Sequence, residues 1–196
     1  TAGQPLAVYM GDDSRGEYMY KFVSTAPWNP ADAVALDRIA TGDKYLDSGK
    51  LYVAKFNAGA TTGDMMGTGE WIELDITNPR IAGYTAYTFA NQADVLVNTR
   101  LAADAVEATP MDRPEWVTVH PQTKEVYLTL TNNSSRSVTN EANPRTANRY
   151  GQIVRWRETG GDAAAMGFEW DLFVLAGNPT ITQSNPLNAG SSNVTA

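Results

Sequence analysis

Asp112-Arg113-Pro114-Glu115 is the stretch of this chain whose residue types and spacing point most directly to chemistry. A guanidinium presents a planar fork of N–H donors that matches an oxyanion such as phosphate, and a carboxylate is an oxygen donor suited to a hard cation. Pro114 fixes its own φ and disfavours the helical region for Arg113, so an extended run is expected. In an extended chain Arg113 and Glu115 project to the same side. A structural Arg–Glu pair capping a strand accounts for the same residues, and both readings stand at this point. Asp112 reads more simply as a turn residue before Pro114. Asp12 and Asp13, beside Gly11, form a second acidic group. Adjacent carboxylates repel and are relieved by solvent or by a cation, so the pair is either a hydrogen-bonded turn or a metal-ligand region. Asn132 and Asn133 offer amide oxygens, which serve calcium as well as turns. Arg145 and Arg149 lie in a polar run, where solvated charge is the expected reading.

These groups need elements to hold them. Val117 and Val119 alternate with Trp116, Thr118 and His120, and Val126, Leu128 and Leu130 alternate with Tyr127, Thr129 and Thr131. This period of two predicts half-buried strands over Glu115–His120 and Glu125–Thr131, joined by the polar connector Pro121–Lys124 as a hairpin. Leu6–Met10 and Glu17–Val23 read as strands flanking the Asp12–Asp13 turn. Tyr18, Tyr20 and Phe22 fall on one face of the second, and Met19, Lys21 and Val23 on the other. Lys50–Phe56, Trp71–Leu74, Gly151–Arg157 and Gly167–Leu175 are further strands. Asn91–Val106 carries helical spacing with Asn91 as N-cap, and Ala31–Ala40 is a short helix. Asn132–Arg149 is a long polar loop, and everything from Asn178 onward is loop or tail.

Composition narrows the function. The chain has 196 residues, formal net charge −7, no cysteine and one histidine, His120. An acidic chain without clustered Lys and Arg argues against a nucleic-acid partner and is compatible with cation binding. Without cysteine this chain supplies no thiolate, and a single histidine argues against a His-rich metal site or a His-based triad. No apolar run approaches a membrane span, and no secretion signal is visible. His120 is expected at a turn, and the strand carrying Phe168, Trp170 and Leu172 in the core.

Several blocks occur in an order that resembles the PhoX-type alkaline phosphatases. They include Val8–Asp13 with Glu17–Ser24, Gly49–Asn57 with Gly69–Trp71, Asn98–Asp104, Ala108–Asn133, Asn148–Glu158 and Phe168–Gly177. The resemblance implies an all-β fold with minor helix, a partial β-propeller built from four-stranded antiparallel blades with helical and loop insertions. It implies hydrolysis of phosphate monoesters by metal-ion catalysis with calcium and ferric iron, in the periplasm or outside the cell; a calcium-binding propeller hydrolase of another ester or lactone class, and a non-catalytic β-rich binding or structural module, are the alternative readings. It assigns Arg113 to the phosphate, Glu115 to the metals, and the region of Asp12 and Asp13 to metal ligation, with Asn132 a further candidate ligand; Asp12 and Asp13 are preferred over Glu17, which is placed beside Lys21. The family's iron takes a cysteine thiolate that this sequence lacks, and Gln152 stands where a histidine is expected. Residues 1–196 are therefore expected to form a single partial propeller domain, truncated at both ends relative to the family. Such a chain is expected to have negligible activity alone and to associate with itself or with missing segments.

Overall fold

The period-two runs become strands, and their apolar faces meet. The computed structural model describes residues 2–178. Its ten strands are β1 (Pro5–Gly11), β2 (Arg15–Glu17), β3 (Met19–Pro27), β4 (Gly49–Phe56), β5 (Met66–Glu73), β6 (Met111–Asp112), β7 (Pro114–Val119), β8 (Val126–Leu130), β9 (Gln152–Glu158) and β10 (Gly167–Leu175). Eight form one antiparallel sheet in the order β1-β3-β4-β5-β10-β9-β8-β7, while β2 pairs with β6. The architecture is mostly β, as the alternation requires. Two four-stranded antiparallel meanders, β1-β3-β4-β5 and β7-β8-β9-β10, make up this sheet. They are joined edge to edge where β5 meets β10, with Gly69 opposite Phe168.

The sheet curls until its two edge strands approach. A β-carbon at Gly11, at the end of β1, would lie 2.7 Å from the Pro114 carbonyl oxygen at the start of β7, so only glycine allows this contact. Inside the curl lies the main core. Met19, Phe56 and Trp71 from the first meander pack against Leu128, Trp156, Phe168 and Trp170 from the second. Rings meet edge-on or tilted at centroid separations such as 5.2 Å for Phe56–Phe168 and for Trp71–Phe168, the geometry ring quadrupoles favour. The expected alternation of β3 holds. Tyr18 and Tyr20 face a second core, and Met19 faces the first.

That second core is built by α2 (Pro79–Ala82), α3 (Gln92–Val97) and α4 (Thr99–Ala105), which lay Ile81, Val95 and Ala102 over Tyr18, Tyr20 and Val53. The helix expected across Asn91–Val106 is two helices. Asn91 caps the first by accepting from the Asp94 N–H, but Asn98 adopts φ −106°, ψ 44° and its amide turns back onto Asp94. That local side-chain bond competes with the helical path. Over Ala31–Ala40, a short 3-10 turn at Pro30–Val34 is followed by α1 (Arg38–Leu46), capped by Asp37. Residues 179–196, the end of the expected tail, lie outside the described residues.

One cluster inside the curl is polar. Lys21, fully buried, reaches the Glu158 carboxylate at 3.2 Å and donates to the carbonyls of Ala165 at 2.6 Å and Ala163 at 3.2 Å. Glu158 also accepts from the Tyr9 hydroxyl at 2.7 Å and from the indole N–H groups of Trp71 and Trp156. The ammonium sits 4.6 Å from the Trp71 ring centroid. Burial lowers Lys21 to about 8 and raises Glu158. Every group around the carboxylate is a donor, and both carbonyls on the lysine are acceptors, which favours the ion-paired form. The partner proposed for Lys21 is thereby corrected: Glu17 is not beside it but is buried under α4, paired with Arg100.

Candidate active site at the β1–β7 seam

The Asp12–Asp13 turn follows Gly11, and Arg113 precedes Pro114, so the close approach of Gly11 to Pro114 sets the two motifs side by side. Arg113 Nε lies 3.1 Å from Asp13 Oδ1, and its Nη2 donates to Asp13 Oδ2 at 3.2 Å, a two-point pair. Its Nη1 donates to Asn132 Oδ1 at 3.0 Å. Three of the residues singled out from sequence, Arg113, Asp13 and Asn132, are thus in contact. Asp12 and Glu115, their neighbours in sequence, are exposed, and no hydrogen bond or ion pair engages their carboxylates among the described residues.

The local backbone departs from expectation. Arg113 is not extended but left-handed, with φ +53°. The reason is topological. β6 runs alongside β2, whereas β7 runs alongside β8, and the chain must turn between Asp112 and Pro114 to pass from one ladder to the other. A residue in this region costs on the order of 1–3 kcal/mol and persists only where its surroundings over-determine it. Arg113 and Glu115 therefore do not share the side of an extended strand. The hairpin itself is as expected, with Val119 opposite Val126, and His120 sits at its turn, where Nδ1 accepts from the Thr123 N–H.

Behind Arg113 lies a buried polar layer that composition did not reveal. Asp112 has no solvent exposure and accepts from Asn133 Nδ2 at 2.8 Å, Asn148 Nδ2 at 2.9 Å and Arg136 Nε. Its own N–H donates to Asn143 Oδ1 at 3.1 Å. Asn148 passes on to Gln152, whose amide donates to the Ala142 carbonyl at 2.8 Å. The long polar loop is thus stitched inward, with Asn133 bridged to Asn148. Arg145 is buried rather than solvated, donating to the carbonyls of Ala176 and Gly151; Arg149 is exposed as expected. The density of asparagines between Asn132 and Asn148 was the available signal, since a turn-rich run with so many amides can satisfy a buried carboxylate.

The sequence matches the family described as alkaline phosphatase PhoX over residues 1–196. The chain belongs to the PhoX alkaline phosphatase family. Among solved structures it is similar to Pseudomonas fluorescens PhoX in complex with vanadate, a transition state analogue, with 45% sequence identity and a TM-score of 0.79. That match covers 94% of this chain and 31% of the PhoX chain, so this chain spans about a third of that length. No curated protein gives a match.

The PhoX resemblance calls for metals, and the residues here meet that need in part. Asp12, Asp13, Glu115 and Asn132 offer oxygen donors only, which suit a hard cation such as calcium. Asp13 and Asn132 already engage Arg113, leaving the carboxylates of Asp12 and Glu115 open. Among the described residues no three His, Cys, Asp or Glu side chains are grouped closely enough to hold an ion. The thiolate expected of the iron site has no counterpart, since the sequence contains no cysteine. The donor types suit a hard ion such as calcium, but among the described residues they are not gathered into a metal site, and without a thiolate they do not complete an iron site.

Proposed function

We propose that this chain is part of a PhoX-type phosphatase that hydrolyses phosphate monoesters, and that the β1–β7 seam carries its oxyanion-binding side. In this reading Arg113 receives a phosphoryl oxygen, and Glu115 and Asp12 donate oxygens to a calcium-type ion. Bound there, such an ion neutralises charge that develops on the phosphoryl group. Arg113 holds the oxyanion by paired N–H donors, with a geometry fixed in advance by its left-handed backbone and by Asn132. Substrate phosphate must share the guanidinium with Asp13 or displace it. With part of the ligand set absent from this sequence, the isolated chain turns substrate over negligibly.

The observation that carries this reading is the juxtaposition of Arg113 with the Asp12–Asp13 turn, in a chain 45% identical to a PhoX that binds a phosphoryl transition state analogue. Titrating the purified chain with orthovanadate and with phosphate, with and without calcium, tests it. Binding that calcium strengthens and Arg113→Ala abolishes is expected. Binding indifferent to Arg113→Ala overturns the assignment. Turnover of a chromogenic monoester well above that of an Arg113→Ala, Glu115→Ala variant would show that the residues present suffice, against the expectation of an inactive chain.

A further inference from the structure

Asp112 and Asn133 form a rung directly behind the one formed by Arg113 and Asn132. The inner rung is buried, with Asn133 Nδ2 on Asp112 Oδ1 at 2.8 Å. The outer rung is exposed, with Arg113 Nη1 on Asn132 Oδ1 at 3.0 Å. Each residue of the outer rung is covalently adjacent to one of the inner rung, so fixing Asp112 to Asn133 fixes the spacing of Arg113 and Asn132. Between them the Thr131 N–H donates to the Arg113 carbonyl at 3.3 Å.

The side-chain contacts of the outer rung hold it only weakly. The Arg113–Asp13 pair is about a third exposed, and ion pairs of that kind hold long side chains weakly. A left-handed arginine costs free energy and persists only where its surroundings over-determine it. The change of ladder sets the turn, and Asp112 anchors it from behind. Its carboxylate meets three donors from a single loop and its N–H a fourth group, with Arg136 balancing the charge in a site closed to water. Removing one member leaves a buried charge uncompensated, which makes such networks rigid.

We propose that Asp112 is a positioning residue for the oxyanion site: through Asn133 and the stitched 133–148 loop it holds Arg113 and Asn132 as a preformed clamp. The function of the clamp rests on the phosphate reading above; its order does not. The test is an NMR measurement on the nitrogen-15 labelled chain, following the Nε–H signals of its arginines and their shifts on adding inorganic phosphate. Solvent exchange of the Arg113 Nε–H is expected to quicken at least tenfold in Asp112→Asn, with phosphate affinity at least fivefold weaker. The Arg155 Nε–H, paired with Asp171 on the far strands, is expected to stay unchanged and reports that the chain is folded. Should Asp112→Asn fail to fold, Asn133→Ala removes the inner rung while leaving the carboxylate with Arg136 and Asn148, and the same changes are expected in smaller measure. Unchanged Arg113 exchange in a folded variant overturns the proposal. Phosphate binding that survives Arg113→Ala overturns the phosphate reading instead, and the exchange result still decides the positioning role.

Discussion

Lys21 and Glu158 meet at 3.2 Å inside the curled sheet, where neither side chain is appreciably exposed. One stands on β3 and the other at the end of β9, so the pair ties the first meander to the second across the core. Replacing Lys21 by Met strands Glu158 without its counter-charge. The expected loss is about 3–5 kcal/mol in urea unfolding. Adding Glu158→Gln to that variant should recover part of it, because the neutral amide still accepts from Tyr9. Equal loss in the single and double variants would show that the two charges do not act as a pair.

The same pair gives stability an alkaline signature. Lys21 titrates near 8 when folded and near 10.5 when unfolded, so between those values the unfolded chain binds more protons. Stability from this group therefore rises with pH across that window, by up to about 3 kcal/mol. Tyr9, Tyr18 and Tyr20 act in the opposite sense. Burial, the largest cause in each, raises them above their ordinary value of 10.0, and their contribution is lost as pH climbs past it. Unfolding free energy measured from pH 7 to 11 should climb above pH 8 and turn down beyond pH 10. In Lys21→Met the climb should vanish.

Asp13 competes with any oxyanion for Arg113. Asp13→Asn should raise phosphate affinity roughly three- to fivefold, in keeping with a partly exposed ion pair worth under about 1 kcal/mol. Calcium should strengthen phosphate binding in the natural sequence and do so less in the variant, and phosphate should strengthen calcium binding by the same factor. Calorimetric titration of each ligand in the presence of the other measures both.

Gly69 lies under the Phe168 ring where β5 joins β10. A β-carbon there would fall 2.1 Å from ring atoms. Gly69→Ala should destabilise by about 1–3 kcal/mol through overpacking. The Phe168→Leu change, made in that background, should return part of the loss by removing the ring edge. Thermal unfolding of the three variants is sufficient to see it.

Strands were legible because burial on one face leaves a period of two in the sequence, as in Val126, Leu128 and Leu130. Proximity was legible only in part. The pairing of Arg113 with Asp13 could be anticipated by joining two motifs to one site, yet the left-handed Arg113 was not, since it follows from which ladder each neighbour joins. Lys21 reads as an ordinary strand lysine until its partner is known, and Glu158 stands far away in sequence. Asp112 looked like a turn residue for the same reason: its burial is the work of Asn133, Arg136 and Asn148, and local pattern carries no record of long-range partners. The break at Asn98 shows the opposite limit, where one amide bond to Asp94 overrode good helical spacing.

The seam between β5 and β10 also governs how the molecule is made. Gly69 pairs with Phe168 and β1 abuts β7, so the contacts that close the sheet join residues far apart in the chain. Chain-closure entropy must be met before these contacts give any return, which makes folding slow and concerted. On the ribosome β5 has no partner on its free edge until β10 emerges, and the nascent chain carries an open, aggregation-prone edge throughout that interval.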